Sequence, residues 1–195
     1  MKRVLLILTA FVFSLVFQHN FCLADDSYYL RDYDGIEIQK GAFIPVVNMQ
    51  ELSTAYSDAG APAKFVASSD MYLYETIVVP KNTEFFGYVE KVNEPVVGTN
   101  GSMVIKVDKM RFVDGFEIPI NGYIYSSNGN VIGGELTRPL KYDRMPHYQQ
   151  GLGTGTLQYV PGAQRSMGDN TVVAAGAELM IILTKPVYVT HTLTD

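Results

Sequence analysis

The side chains best equipped for chemistry are few and sit together in one stretch. Asp143, His147 and Tyr148 place a carboxylate, an imidazole and a phenol within six residues, bracketing Pro146. Such a trio moves protons or holds a hard metal ion only when a further group positions it, and the sequence shows none beside it. His191 stands apart, and neither histidine belongs to a spacing that chelates a metal, since no other His or Cys lies near. Gly151-Leu152-Gly153-Thr154-Gly155-Thr156 looks like a phosphate cradle but lacks the preceding strand, the following helix and the lysine of such a loop. Ser53, Ser57, Ser68 and Ser69 lie near turns, where hydroxyls cap backbone groups, and no Gly-x-Ser-x-Gly elbow occurs. The expectation is therefore no catalytic residue, no cofactor and no metal.

Recognition is the better use for these residues. Tyr142, Asp143, His147, Tyr148 and Tyr159 form the candidate partner-binding set, all within a stretch crowded with glycine and proline. The chain has thirteen tyrosines, and Tyr72, Tyr74, Tyr123 and Tyr125 alternate along strand-like runs. They suit either an aromatic platform for sugar or protein, or amphipathic strand positions with rings inside and hydroxyls at the boundary.

The elements that must carry these side chains are strands. From Gly41 onward, short runs rich in Val, Ile, Tyr and Phe alternate with Gly, Pro, Asn and Asp, the punctuation of a β domain. Strands are predicted over 42–47, 64–67, 71–79, 84–92, 102–113, 116–125, 157–160, 171–174 and 178–189. One short helix is predicted over Asn48 to Tyr56, with Asn48 as cap and Glu51 three residues on. Asp114-Gly115 predicts a two-residue hairpin turn. In the arm before it, Met103, Ile105 and Val107 share one face, whereas Met110 and Phe112 take the opposite phase. A slip near Asp108-Lys109 marks a bulge or a strand that changes sheets. Pro119 lacks a ladder donor and points to an edge or bulge. Nine short strands with these corners fit an all-β fold, a small closed or partly open β-barrel or an orthogonal sandwich. The stretch 126–170 is predicted to be one long Gly/Pro-rich loop, the first place to seek a binding surface.

Lys2 and Arg3 followed by the apolar run Val4 to Phe17, with Ala24 just ahead of Asp25, read as a secretory signal over 1–24. A segment over 25–40 then leads along the surface into a single domain over 41–195. Its localisation is expected to be periplasmic or extracellular, without an integral membrane span after cleavage. The one cysteine, Cys22, falls inside the signal, so disulfides and thiol chemistry are not expected in the domain. Without Lys2 and Arg3, thirteen basic residues face twenty acidic ones, and that balance argues against nucleic acid as a partner.

Two segments carry a family likeness: Gly41-Ala42-Phe43-Ile44-Pro45-Val46, and Ile77-Val78-Val79-Pro80-Lys81-Asn82-Thr83-Glu84-Phe85-Phe86-Gly87-Tyr88-Val89. With the Asp114-Gly115 strand pair and the late Gly176-x-Glu178-Leu179 strand, they resemble the C-terminal β-barrel domain of the TrbI family of conjugation and type IV secretion proteins. There a Gly-x-x-Ile-Pro strand, an Ile-Pro-Lys-Gly-Thr turn before a glycine strand, and an Asp-Gly hairpin recur in this order. Asn82 replaces the usual turn glycine and still tolerates positive φ. The retained membrane helix, proline-rich stretch and helical insertion of the family are not matched in this sequence, so the resemblance does not extend to pore formation. It implies a non-enzymatic envelope scaffold or accessory module that docks other envelope proteins, with oligomers allowed. A secreted ligand-binding module for glycans is the alternative.

Overall fold

A computed structural model of the chain describes residues 35–148 and 155–189. The expected signal over 1–24, the first part of the leading segment and His191 lie outside the described residues. In chain order the strands are β1 (Ile36–Ile38), β2 (Phe43–Asn48), β3 (Leu52–Ser53), β4 (Pro62–Ala67), β5 (Met71–Leu73), β6 (Thr76–Val79), β7 (Glu84–Asn93) and β8 (Ser102–Arg111). After them come β9 (Glu117–Tyr125), β10 (Ile132–Gly133), β11 (Tyr142–Tyr148), β12 (Gly155–Pro161), β13 (Val172–Val173), β14 (Glu178–Leu183) and β15 (Val187–Val189).

Six of these close on themselves. The order β8-β7-β4-β2-β14-β9 is antiparallel throughout, and β9 pairs back onto β8 to make a closed barrel. Closure follows from period-two patterning: Ile44, Val46, Phe65, Phe85, Val89, Ile105, Val107, Ile124 and Ile181 are each at most 1% exposed, whereas their strand neighbours face out. Each such side chain contributes about 2 kcal/mol by leaving water, which is what specifies the register. The short pairs β1–β15, β3–β13 and β5–β6 add to this body, and β10 extends β8. Ile38 of β1 is 1% exposed, so the end of the 25–40 segment is part of the core.

The phase slip is a bulge at Asp108. Against β7 the partners run Phe86↔Lys109 and then Gly87↔Val107, and against β9 they run Val107↔Gly122 and then Lys109↔Pro119. Asp108 is left exposed while Val107 and Met110 both point into the core. Gly87 faces the corner so closely that a Cβ there would lie 2.0 Å from the Lys106 carbonyl oxygen. The barrel turns at this point because β8 carries one extra residue against β7, opposite Gly87, while β9 carries one extra residue against β8 between Gly122 and Pro119.

The predicted helix over Asn48 to Tyr56 does not form. Asn48 ends β2 inside the body, where its Nδ2 donates to the carbonyls of Ala174 at 3.0 Å and Val173 at 3.2 Å instead of capping a helix. Leu52 and Ser53 pair with Val173 and Val172, and only one turn follows, closed by Ser57 N donating to Ser53 O at 2.8 Å. Tertiary pairing outweighs the weak local preference. The hairpin at Asp114-Gly115 has three loop residues rather than two. Gly115 N donates to Phe112 O and Phe112 N donates to Phe116 O, both at 2.9 Å, with Gly115 at φ 91. This is a type I turn closed by a left-handed glycine, and the stacked Phe112 and Phe116 rings fix the closing pair. The run 71–79 is likewise a hairpin, bent at Tyr74 and Glu75 with φ 49 and 71. No glycine or asparagine announced it.

Candidate functional site

The predicted long loop is largely ordered as ribbon. β11 and β12 pair in seven successive rungs, from Tyr142↔Pro161 to Tyr148↔Gly155. Below them the layer continues through the bridges Pro139↔Arg165, Val97↔Met167 and Thr99↔Leu136. Leu140 N donates to Gln164 O at 2.9 Å, Thr137 N to Gly98 O at 3.0 Å, and Arg165 Nη1 to Thr137 O at 2.6 Å. At Gly168 a Cβ would stand 2.0 Å from the Thr99 carbonyl oxygen, so the base packs backbone on backbone. The ribbon is rooted through these base contacts.

The five predicted partner-binding residues all fall on this ribbon, but on two faces. Alternation puts Tyr142, Tyr148 and Tyr159 at register positions of one face, together with Arg144, Pro146 and Leu157. Asp143 and His147 occupy positions of the other, with Met145, Gln158 and Val160. Asp143 and His147 stand four residues apart on one strand, a backbone separation of about 13 Å. Asp143 instead pairs with Lys141 at 3.2 Å, an exposed contact worth little. What the ribbon offers is exposed contact area.

Exposure marks what that area is made of. Tyr142, Met145, Leu157 and Tyr159 are between 54% and 65% exposed, and Val97, Leu136, Leu140 and Met167 at the base are comparably open. Leu157, Met145 and the base residues were missing from the sequence-based set. Met145 was hidden because Pro146 disguises the alternation of β11, and the base residues because bridges between distant segments leave no local signature. Among the described residues, no three His, Cys, Asp or Glu side chains gather as a metal site.

The barrel wall has two further characters. Over β4, β7 and β8, Lys64, Lys109 and Arg111 approach the Phe86 ring at 5.4, 4.9 and 4.5 Å, with Glu84 and Glu117 between them. Hydrogen bonds from Lys109 and Arg111 hold the Glu117 carboxyl below the usual carboxylate range. Across β2, β14 and β9 the wall is apolar: Pro45 and Tyr125 flank Met180, and Phe43 meets Tyr125 edge-on at 5.2 Å. Tyr125 is 42% exposed and Tyr72 59%, so these rings point outward rather than into the core. Tyr72 and Tyr74 belong to the separate β5–β6 hairpin, and the four alternating tyrosines make no single platform.

The molecule thus belongs to the class of closed six-stranded antiparallel barrels with a projecting ribbon. No family model and no curated protein matches the chain. Among solved structures, ComB10 of the Com type IV secretion system of Helicobacter pylori is similar, with a TM-score of 0.45 and 12% identity, over 78% of this chain and 90% of that one. A likeness of that size assigns neither a family nor an activity.

Proposed function

We propose that this chain is a non-enzymatic envelope scaffold or accessory module that docks other envelope proteins through the β11–β12 ribbon. The observation that carries the reading is the ribbon itself: seven rungs on a braced base, with Tyr142, Met145, Leu157 and Tyr159 open to solvent. Isolated two-stranded ribbons are marginal in water, and exposed apolar area of this kind is normally covered by a partner. A link to a conjugation or type IV secretion apparatus is supported by the TrbI-like order of motifs. Two residues of the turn-and-glycine-strand motif have a structural role in the barrel: Asn82 takes φ 69 in the turn before β7, and Gly87 sits at the corner. The signal-like N-terminus supports an address beyond the cytoplasm.

A photo-crosslinking residue at Tyr159, introduced in cells, tests the reading. The expected result is a discrete adduct with an envelope protein other than a second copy of this chain, lost on Arg144→Glu, while the same probe at Tyr74 on the β5–β6 hairpin yields none. Glycan-array binding by the purified protein, with no protein adduct at Tyr159, would replace docking by the glycan-binding alternative.

A further inference from the structure

The two edges of the ribbon are not equivalent. Among the described residues β11 and β12 pair only with one another, so each carries one row of backbone groups without a strand partner there. On β11 that row is interrupted by Pro146, and the strand carries Asp143 and Arg144. Proline and charge are the standard protection of an edge strand. β12 has neither: from Thr156 to Val160 it reads Thr-Leu-Gln-Tyr-Val, uncharged, rich in β-formers, and stopped only by Pro161. One edge is guarded and the other is open.

The open edge is close to its own mirror in side-chain character. β-branched Thr156 and Val160 flank large Leu157 and Tyr159, with the amide of Gln158 at the centre. Turned antiparallel on a second copy about Gln158, it pairs Gln158 with Gln158, Leu157 with Tyr159, and Thr156 with Val160. Aromatic–aliphatic and β-branched pairs are favourable across strands, and no charge meets a like charge. One face of the resulting four-stranded sheet carries the row Arg144, Tyr159, Leu157 and Pro146, its second half contributed by the second copy, with Arg144 set beside an aromatic ring. The faces of the two ribbons join without a break.

We propose that β12 is a dimerisation edge, on which two copies of this chain pair their β12 strands antiparallel about Gln158 into a sheet ordered β11-β12-β12-β11. The inference rests on reading the ribbon as the docking element and names the occupant of its open side. Contact confined to two ribbons is small against a standard interface of about 1,600 Å², so the dimer is weak and forms with rising concentration. The chain has a net charge of −5, so added salt strengthens the pairing.

Sedimentation velocity on purified protein across concentration and salt tests this, together with Gln158→Lys and Gln158→Cys. The wild type is expected to pass from monomer to dimer. Gln158→Lys sets two ammonium groups opposite one another at the two-fold axis and weakens the dimer at least about tenfold, with an unchanged circular dichroism spectrum. In a chain carrying Cys22→Ser, Gln158→Cys is expected to oxidise to a disulfide dimer, because directly opposed Cα atoms lie about 4.5–5.5 Å apart. Val160→Cys, about 13 Å from its own copy in this register, is expected not to crosslink. A wild type that stays monomeric at millimolar concentration, a dimer indifferent to Gln158→Lys, or crosslinking at residue 160 in place of 158 would each overturn the proposal. An envelope-protein adduct at Tyr159 alongside a strictly monomeric chain would sink this inference and leave the docking reading standing.

Discussion

Individual residues matter most where the backbone leaves the ordinary regions. Asn82 occupies φ 69 in a turn closed by Thr83 N on Pro80 O at 3.2 Å, and buried Thr83 ties the same carbonyl through its hydroxyl at 2.7 Å. Asparagine tolerates this conformation and glycine adopts it freely, whereas a β-carbon without a local hydrogen-bonding group is strained there. Asn82→Gly is therefore expected to leave stability within about 0.5 kcal/mol, and Asn82→Ala to cost about 1 kcal/mol, read by urea denaturation. Equal midpoints for the two variants would show that the turn is not under this constraint. The asparagine at this place was legible in the sequence because the motif around it sets the turn. Tyr74 and Glu75 were not, since neither residue type signals positive φ and the tight connection between β5 and β6 compels it.

At the scale of elements, the barrel is shaped by how β8 crosses its neighbours. The sequence disclosed the slip at Asp108 because the core demands apolar side chains on one face, and the interruption of period two is visible in the letters. It did not disclose that Gly87 and Gly122 flank the same corner, opposite Val107 on either side. Gly87→Ala drives a methyl group into the Lys106 carbonyl and is expected to cost at least about 2 kcal/mol, measured by thermal or urea unfolding. A variant as stable as the wild type would mean that β7 and β8 separate at this point without loss. The missing helix belongs to this scale too: the capping pattern at Asn48 was real as a pattern, but Asn48 spends its amide on the carbonyls after β13.

The whole molecule divides its labour between a closed body and an appended ribbon. The buried core draws on the barrel strands and on β1, β3, β6, β13 and β15, and no residue of β11 or β12 is among its described members. Lys141 and Gly162, where the ribbon joins its base, are linked by Gly162 N donating to Lys141 O at 3.0 Å. Replacing Tyr142 to Pro161 by an Asn-Gly turn is thus expected to move the melting temperature by no more than about 4 °C while abolishing the Tyr159-directed adduct. A much larger fall in melting temperature would make the ribbon part of the folding unit.

The letters of the sequence determined the class of fold, nearly every barrel strand and the bulge at Asp108, because burial imposes a two-residue rhythm that survives in the order of residues. They also gathered Tyr142, Asp143, His147, Tyr148 and Tyr159 as candidates on one hairpin, since these residues are neighbours along the chain or across its two strands. Tertiary structure decided that the barrel closes, that β9 returns to β8, and that the candidate residues divide between two faces of the ribbon. It also turned an apparent loop into a braced ribbon, through bridges from Val97 and Thr99 to residues far along the chain. Contacts between distant segments write no period into the sequence, so only the folded chain reveals them.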